Sequence, residues 1–354
     1  MKLADRQVVW LVLKPAVLGL LVVLVIYSIF TLAVYLREVI LGEALLSQLL
    51  QRVLLRNVVV LEILLPTTFF FGLVYAMTTW HRDGEAHAYY AAGVSPWRIE
   101  RMLYVVSLVV GVLTLVVTTL LRPWGYDTLE KLDAAISGRL QSVIRPDEFS
   151  ESRGIVATAR SVDQETGVLT DVFVYRRLET QSEVIRARSA LLGEREASGI
   201  TPIEFTDGYS YSFDATSRLL RTTRFDTMRF LHRQPPVNQY QRRQARPTAD
   251  LATAQTIKEI SEYQWRFTVP MLAVALGVLG VMLGRLQPDQ PAYPRYLLAL
   301  LLYVGVFNLA SATRSAMENG QIEASPGMFV APAVIAALIL LWTALRGNRV
   351  DRPA

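Results

Sequence analysis

The chain has 354 residues, with 36 Lys and Arg against 31 Asp and Glu for a net charge of +5; 52% of its residues are hydrophobic and 19% are charged. The charged share falls below the ~25% of ordinary soluble domains, so a fold built wholly for water is excluded. There is no cysteine, which excludes disulfides, a thiol nucleophile and a thiolate metal site.

Six runs free of Asp, Glu, Lys and Arg are each long enough to cross a bilayer, since a helix rises ~1.5 Å per residue and the hydrocarbon core is ~30 Å thick. Three precede a long polar insert: Pro15–Leu36, Ile63–Trp80 and Met102–Leu121. The first is longer than a 7–15-residue signal-peptide core and is followed by Arg37-Glu38 instead of small residues, so it reads as a span. The loop between the second and third runs, His81–Arg98, predicts a short cytoplasmic helix over about 83–93. Asp83 caps it, Glu85 lies in its first turn and Gly93 stops it. Ser95-Pro96 then opens the third span, with Ser as N-cap and Pro at the first helical position.

The insert, 122–265, reads as β structure. Ile155–Ser161 alternates in part, Val172–Tyr175 is a short β-rich run, and Ile203 and Phe205 share a face. Thr206-Asp207-Gly208 reads as a turn, after which Tyr209, Tyr211 and Phe213 alternate as an inward aromatic face; Phe225, Met228 and Phe230 continue the pattern. Polar breaks at 163–167 and 196–199 point to an antiparallel sandwich or jelly roll. Pro235-Pro236 begins an exit linker, and Leu251–Tyr263 reads as an amphipathic helix leading back to the membrane. The last three spans are Phe267–Gly284, Tyr296–Thr313 and Ala324–Leu345, with a short tail to 354. The expected fold class is thus an α-helical membrane protein of six spans with an antiparallel, jellyroll-like β domain.

Basic residues crowd one side of this topology. Lys2, Arg6, Lys14, Arg82, Arg98, Arg101, Arg285, Arg295, Arg346, Arg349 and Arg352 flank the ends shared with the N-terminus, whereas the two short opposite loops carry Arg37, Arg52, Arg56 and Arg314. The positive-inside rule puts both termini in the cytoplasm and the insert outside, which is the periplasm if the membrane is a Gram-negative inner membrane. Basic charge therefore serves topology, and no nucleic-acid partner is expected.

The run Glu85…Ala92-Gly93-Val94-Ser95, preceded by Leu65-Pro66…Phe71-Gly72-Leu73, resembles the coupling-helix region of the LptF/LptG lipopolysaccharide-export permeases. Six spans with an insert after the third match that family over nearly the whole chain. Gln264-Trp265-Arg266 and the Tyr296–Asn308 run look more like the F-type subunit. The resemblance implies a permease subunit of an ATP-driven transporter that extracts lipopolysaccharide from the outer leaflet of the inner membrane. It implies four partners: a cytoplasmic LptB-like ATPase dimer, a second LptG-like permease, an LptC-like periplasmic bridge and the lipid itself. ATP and Mg would sit on the ATPase, with no cofactor on this chain.

Candidate site residues follow. Glu85, with Gly93 and Ser95, forms the ATPase-coupling element by the resemblance, although an acid in a first helical turn is also favoured by the macrodipole alone. Arg37 and Arg314, at span ends, are candidates for lipopolysaccharide phosphates, because guanidinium pairs with phosphate in bidentate geometry; the plainer reading is a snorkelling flank residue. Arg266 and Glu62 are candidates because a charge at membrane depth is a functional site by default, with pairing to a neighbour as the alternative. Asn308 more often bonds a neighbouring helix than a substrate, and Phe69-Phe70-Phe71 reads as packing or as a lipid-facing wall. Tyr209, Tyr211 and Phe213 are candidates for a periplasmic lipid conduit.

No G-x-x-x-x-G-K-[ST] loop and no G-x-S-x-G elbow occurs, so catalysis by this chain is not expected. Two other classes stand beside the permease reading: a scaffold or assembly subunit without transport, and a proton-coupled secondary transporter with Glu62 as carrier.

Overall fold

A computed structural model describes residues 3–40, 45–140, 150–152, 155–162, 168–177, 181–192, 200–214, 218–233, 243–284 and 291–350. Helices α1 (Leu3–Ile40), α2 (Leu46–Arg82), α3 (Glu85–Ala91), α4 (Pro96–Val116) and α5 (Arg122–Leu140) come first, with a π-helical turn, Val117–Leu121, joining α4 to α5. Strands β1 (Ser150–Ser152), β2 (Ile155–Val162), β3 (Val168–Arg177), β4 (Gln181–Leu192), β5 (Ile200–Asp214) and β6 (Leu219–Arg233) follow. The chain ends in α6 (Thr248–Leu251), α7 (Ile257–Gly284), α8 (Tyr293–Glu318) and α9 (Val330–Val350).

Five of the described helices are long and apolar enough to cross a membrane: Arg6–Ile40, Leu46–Arg82, Pro96–Ala134, Ile257–Gly284 and Tyr293–Glu318. Where the sixth span was expected, the described apolar stretch is the shorter Gly327–Thr343. The expected helix over Leu251–Tyr263 is broken. Helix α6 ends at Leu251, and Thr256 starts α7 by accepting the Ile260 N–H at 3.0 Å while its hydroxyl donates to Glu259 at 2.7 Å. The linker at Pro235-Pro236 lies outside the described residues.

The chain forms two compact units, one of Met1–Arg37, Leu46–Glu130 and Arg242–Ala354, the other of Glu38–Leu45 and Lys131–Gln241. Arg122–Glu130 and the approach to α7, counted with the insert on sequence grounds, belong to the helical unit. Its core has two parts. Val8, Val12 and Ala16 of α1 pack with Phe69, Leu73 and Met77 of α2 and Leu103 of α4. Phe70 and Val74 of α2 pack with Leu272 and Leu276 of α7, Ala310 of α8 and Ala331 of α9. Phe69 and Phe70 are therefore core residues and not a lipid-facing wall. Small residues allow the helices this proximity: a Cβ added to Gly72 would lie 2.7 Å from the Ala16 backbone. Pro66 and Pro270 sit inside α2 and α7.

The six strands make one antiparallel sheet in chain order, β1 to β6. The antiparallel β character matches expectation, and the connectivity among the described residues is a plain meander. The Thr206-Asp207-Gly208 segment is not a turn between strands: β5 continues through it. Instead Asp207 takes a left-handed backbone (φ 52°), as does Asp171 in β3 (φ 49°), a region Asp tolerates better than most residues.

Both lie on one row across the sheet. The register sets Asp171 between Arg160 and Arg188, and Asp207 between Arg188 and Asp226. Arg160 pairs with Asp171 at 3.1 Å and Arg188 with Asp207 at 3.0 Å.

At this row the inward face changes parity. Leu169 is buried before it and Val172 and Val174 after it; Ala187 gives way to Ala190, Phe205 to Gly208 and Ser210, and Phe225 to Met228. All the apolar members join one core. Tyr209, expected inward, is consequently exposed (41%), stacked on Tyr211 at 6.3 Å and lying beneath the Arg224 guanidinium, while Tyr211 and Phe213 are half-buried. Gly208 is needed at the crease because a Cβ there would lie 2.6 Å from Phe225 Cζ and 2.9 Å from Ala187 Cα. Gly208→Ala is expected to destabilise the sheet by about 1–3 kcal/mol, the usual cost of overpacking, seen as faster amide exchange in β4–β6.

Candidate functional site

Two constellations stand out in the helical unit, one just past the C-terminal end of α2 and one near its middle. The first is α3. Its N-cap is Gly84 (φ 79°) and not Asp83, whose carboxylate instead pairs with Arg82 at 3.1 Å. Gly93 (φ 84°) ends the turn, its N–H donating to Tyr90 O at 3.0 Å, and Ser95-Pro96 opens α4 with Pro at its start, as the sequence predicts. Without a Cβ, both glycines take left-handed conformations at no steric cost.

The underside of α3 is fixed to its neighbours. Ala86 is fully buried, Tyr89 donates to Gln7 Oε1 of α1 at 2.9 Å and sits edge-on to Trp80. His81 Nδ1 lies 2.8 Å from Met77 O, an atom that only accepts, so Nδ1 carries the proton and Nε2 accepts the Tyr90 hydroxyl at 3.3 Å. Glu85 is left exposed on a helix held from below.

The second constellation is a buried ionic network near the middle of α2. Glu62 (α2), Arg122 (α5), Glu262 and Arg266 (α7), and Arg314 and Glu318 (α8) supply three carboxylates and three guanidiniums. Arg122 pairs with Glu62 through Nε at 2.7 Å and donates through Nη1 to Glu262. Glu262 also receives Arg314 Nη2 at 2.8 Å, and Arg314 Nε reaches Glu318 at 3.0 Å. Glu318 accepts Ser261 Oγ at 2.8 Å, and Trp265 Nε1 lies 3.5 Å from Glu62 while its ring lies beneath the Arg314 guanidinium. Arg122, Arg266 and Glu262 are essentially inaccessible, at 1%, 0% and 0%. Charges so placed persist only when paired and hydrogen-bonded.

Arg266 points elsewhere. Its Nη1 donates to Thr248 Oγ1 at 2.7 Å and its Nη2 to the carbonyls of Gln244 (3.1 Å) and Arg246 (2.9 Å), while its Nε lies 3.6 Å from Glu262. Thr248 Oγ1 in turn donates to Thr119 O, and Thr118 Oγ1 to Arg266 O, both at 2.8 Å and both from or to the π turn.

The structure thus brings three sequence candidates, Glu62, Arg266 and Arg314, into one network joined through Arg122 and Glu262, with the Nη donors of Arg266 given to the 244–248 segment. Arg122 and Glu262, its centre, were not singled out from sequence; the available signal was the Glu262/Arg266 spacing of four on one helix face around Trp265. Arg37 lies in α1, its side chain outside the described residues. Asn308 is exposed, and its amide donates to Val304 O of its own helix at 2.8 Å.

Five described helices long and apolar enough to cross a membrane, with an antiparallel sheet inserted after the third, define the class as a multi-pass membrane protein. A family model, Lipopolysaccharide export system permease LptF/LptG, matches residues 6–346, and the chain belongs to that family. It is accordingly a transporter component of the inner membrane, and the family description takes in both subunit types. A search of curated proteins found no match.

Proposed function

We propose that this chain is one permease half of an ATP-driven machine that lifts lipopolysaccharide out of the inner membrane and passes it to a periplasmic bridge. The observation that carries the reading is α3, with Glu85 exposed on a helix pinned to α1 and α2 through Gln7, His81 and Ala86. A helix fixed in this way transmits a push to the spans, and an acid on its free side offers an ion pair to a cytoplasmic ATPase. Both termini then lie in the cytoplasm and the β unit in the periplasm, in keeping with the bias of basic residues. The pairing of Glu62 with Arg122, and its hydrogen bond from Trp265, support a structural role for that carboxylate over the proton carrier of the alternative reading.

The test is reconstitution with an LptB-like ATPase dimer and an LptG-like permease in liposomes containing lipopolysaccharide, with a bridge protein as acceptor. ATP-dependent transfer supports the reading; stable membrane insertion with no co-purifying ATPase and no transfer would favour a scaffold.

Among the lipid-contact candidates, Arg37 and Arg314 are expected to separate. Arg37→Glu should lower photocrosslinking to lipopolysaccharide while membrane accumulation stays unchanged. Arg314→Glu would place a third carboxylate beside Glu262 and Glu318 and should lower accumulation itself. Equal crosslinking by Arg37→Glu and the unaltered protein would leave Arg37 a flank residue only.

A further inference from the structure

Inside the helical unit, the segment that leads out toward the insert and the segment that returns from it are tied to one turn of α7. The outgoing segment begins at Arg122, where the π turn ends, and Arg122 is bound to Glu262. The returning segment is 244–248, and three of its groups, the Gln244 and Arg246 carbonyls and the Thr248 hydroxyl, are held by Arg266. Glu262 and Arg266 are one helical turn apart on the same face. Thr248 closes the arrangement by donating to Thr119 O inside the π turn, and Thr118 closes it from the other side by donating to Arg266 O. A π turn leaves a local misfit in the i→i−4 ladder and is found at functional sites; here the carbonyl of Thr119 receives a side chain from the returning segment.

We propose that Arg266 is a positioning residue that anchors the return of the inserted β domain to spans three and four, so that span movement is delivered to that domain. The planar guanidinium supplies donors in fixed directions to three acceptors spread over five residues, 244–248, which a single ammonium cannot reproduce. Its full burial keeps water from competing for those acceptors. The neighbouring pair of Arg122 with Glu262 fixes the outgoing helix to the same turn, so both segments are held by one turn of α7. The proposal rests on the transport reading, and the anchor itself is measurable without it.

The experiment uses the full chain assembled with its ATPase and second permease in lipopolysaccharide-containing liposomes. Arg266→Lys and Thr248→Val are compared with the unaltered protein in three readouts: ATP hydrolysis, lipopolysaccharide delivered per ATP, and hydrogen exchange of the peptide covering residues 244–248. Hydrolysis is expected within about twofold of the unaltered complex, while delivery per ATP falls about tenfold for Arg266→Lys, the scale of one lost charged hydrogen bond. Thr248→Val should fall in between, and exchange at 244–248 should quicken in both.

Equal proportional loss of hydrolysis and delivery, or unchanged delivery in a Thr248→Val complex whose 244–248 segment exchanges faster, overturns the proposal. Unchanged exchange in both variants overturns the anchor directly. If Arg266→Lys does not accumulate, Thr248→Val alone decides by the same two criteria. A complex of the unaltered chain that delivers no lipid refutes the transport reading instead, and the exchange comparison still decides whether the anchor exists.

Discussion

Glu85→Ala should leave the protein in the membrane at normal abundance and stop lipopolysaccharide release. Glu85 is exposed on α3, whose packing against α2 is formed by Ala86, Tyr89 and Tyr90. Its removal therefore costs little fold stability, since substitutions at such surface positions usually stay within about 0.5 kcal/mol. At an interface the same truncation strands the opposing charge, at about 2–5 kcal/mol, or more than tenfold in affinity at limiting partner. Release assayed at increasing ATPase concentration distinguishes the two terms: recovery at high concentration marks a lost contact, and persistent failure marks lost transmission through an assembled complex. Normal release by Glu85→Ala at limiting ATPase would leave that carboxylate a helix-end acid stabilised by the macrodipole.

Glu262→Ala should have the largest effect on the folded protein. It removes the carboxylate shared by Arg122 and Arg314 and neighbouring Arg266, leaving three guanidiniums with two carboxylates, Glu62 and Glu318. Breaking a buried ion pair by deleting one partner typically costs about 3–5 kcal/mol, because the remaining charge stays buried without its counter-charge. Folded yield and the melting midpoint in detergent should both fall, and Glu262→Gln should fall less because its amide oxygen still accepts from one arginine. A Glu62→Gln/Arg122→Met double variant should cost less than the sum of its single changes, because the two groups contact each other at 2.7 Å. Additive losses would mean the network is a set of independent contacts.

Five of the six expected spans were legible because their signal is local: a charge-free run of sufficient length has few alternatives in lipid. The short helix α3 was legible for a similar reason, through Gly93 and Ser95-Pro96, although Gly84 displaced Asp83 as its cap. The ionic network was half legible. Glu62, Arg266 and Arg314 each attracted notice as charges at the edge of a span, but pairing among residues up to 203 positions apart, as in Trp265 with Glu62, leaves no local trace. Arg122 was hidden by its position, since a basic residue just past an apolar run also looks like an ordinary flank. In the β unit, Asp207-Gly208 carried turn chemistry and was used for a kink within a strand. The alternation of Tyr209, Tyr211 and Phe213 was real, but its facing was reversed because period-two reasoning assumes unbroken parity.

That reversal constrains how this sheet can change over time. Four neighbouring strands swap their inward positions at one shared row, so the apolar residues on either side are in different reading frames relative to the core. Deleting or inserting a single residue next to Asp171 or Asp207 would shift half of one strand out of frame while its neighbours stayed in place. Ile185 and Val174, or Phe205 and Ala190, would then lose their partners on the core side. Length variation is therefore excluded from the middle of these strands and confined to the connections at their ends. A lineage that lost the kink at one Asp could keep the fold only by re-patterning every residue beyond it.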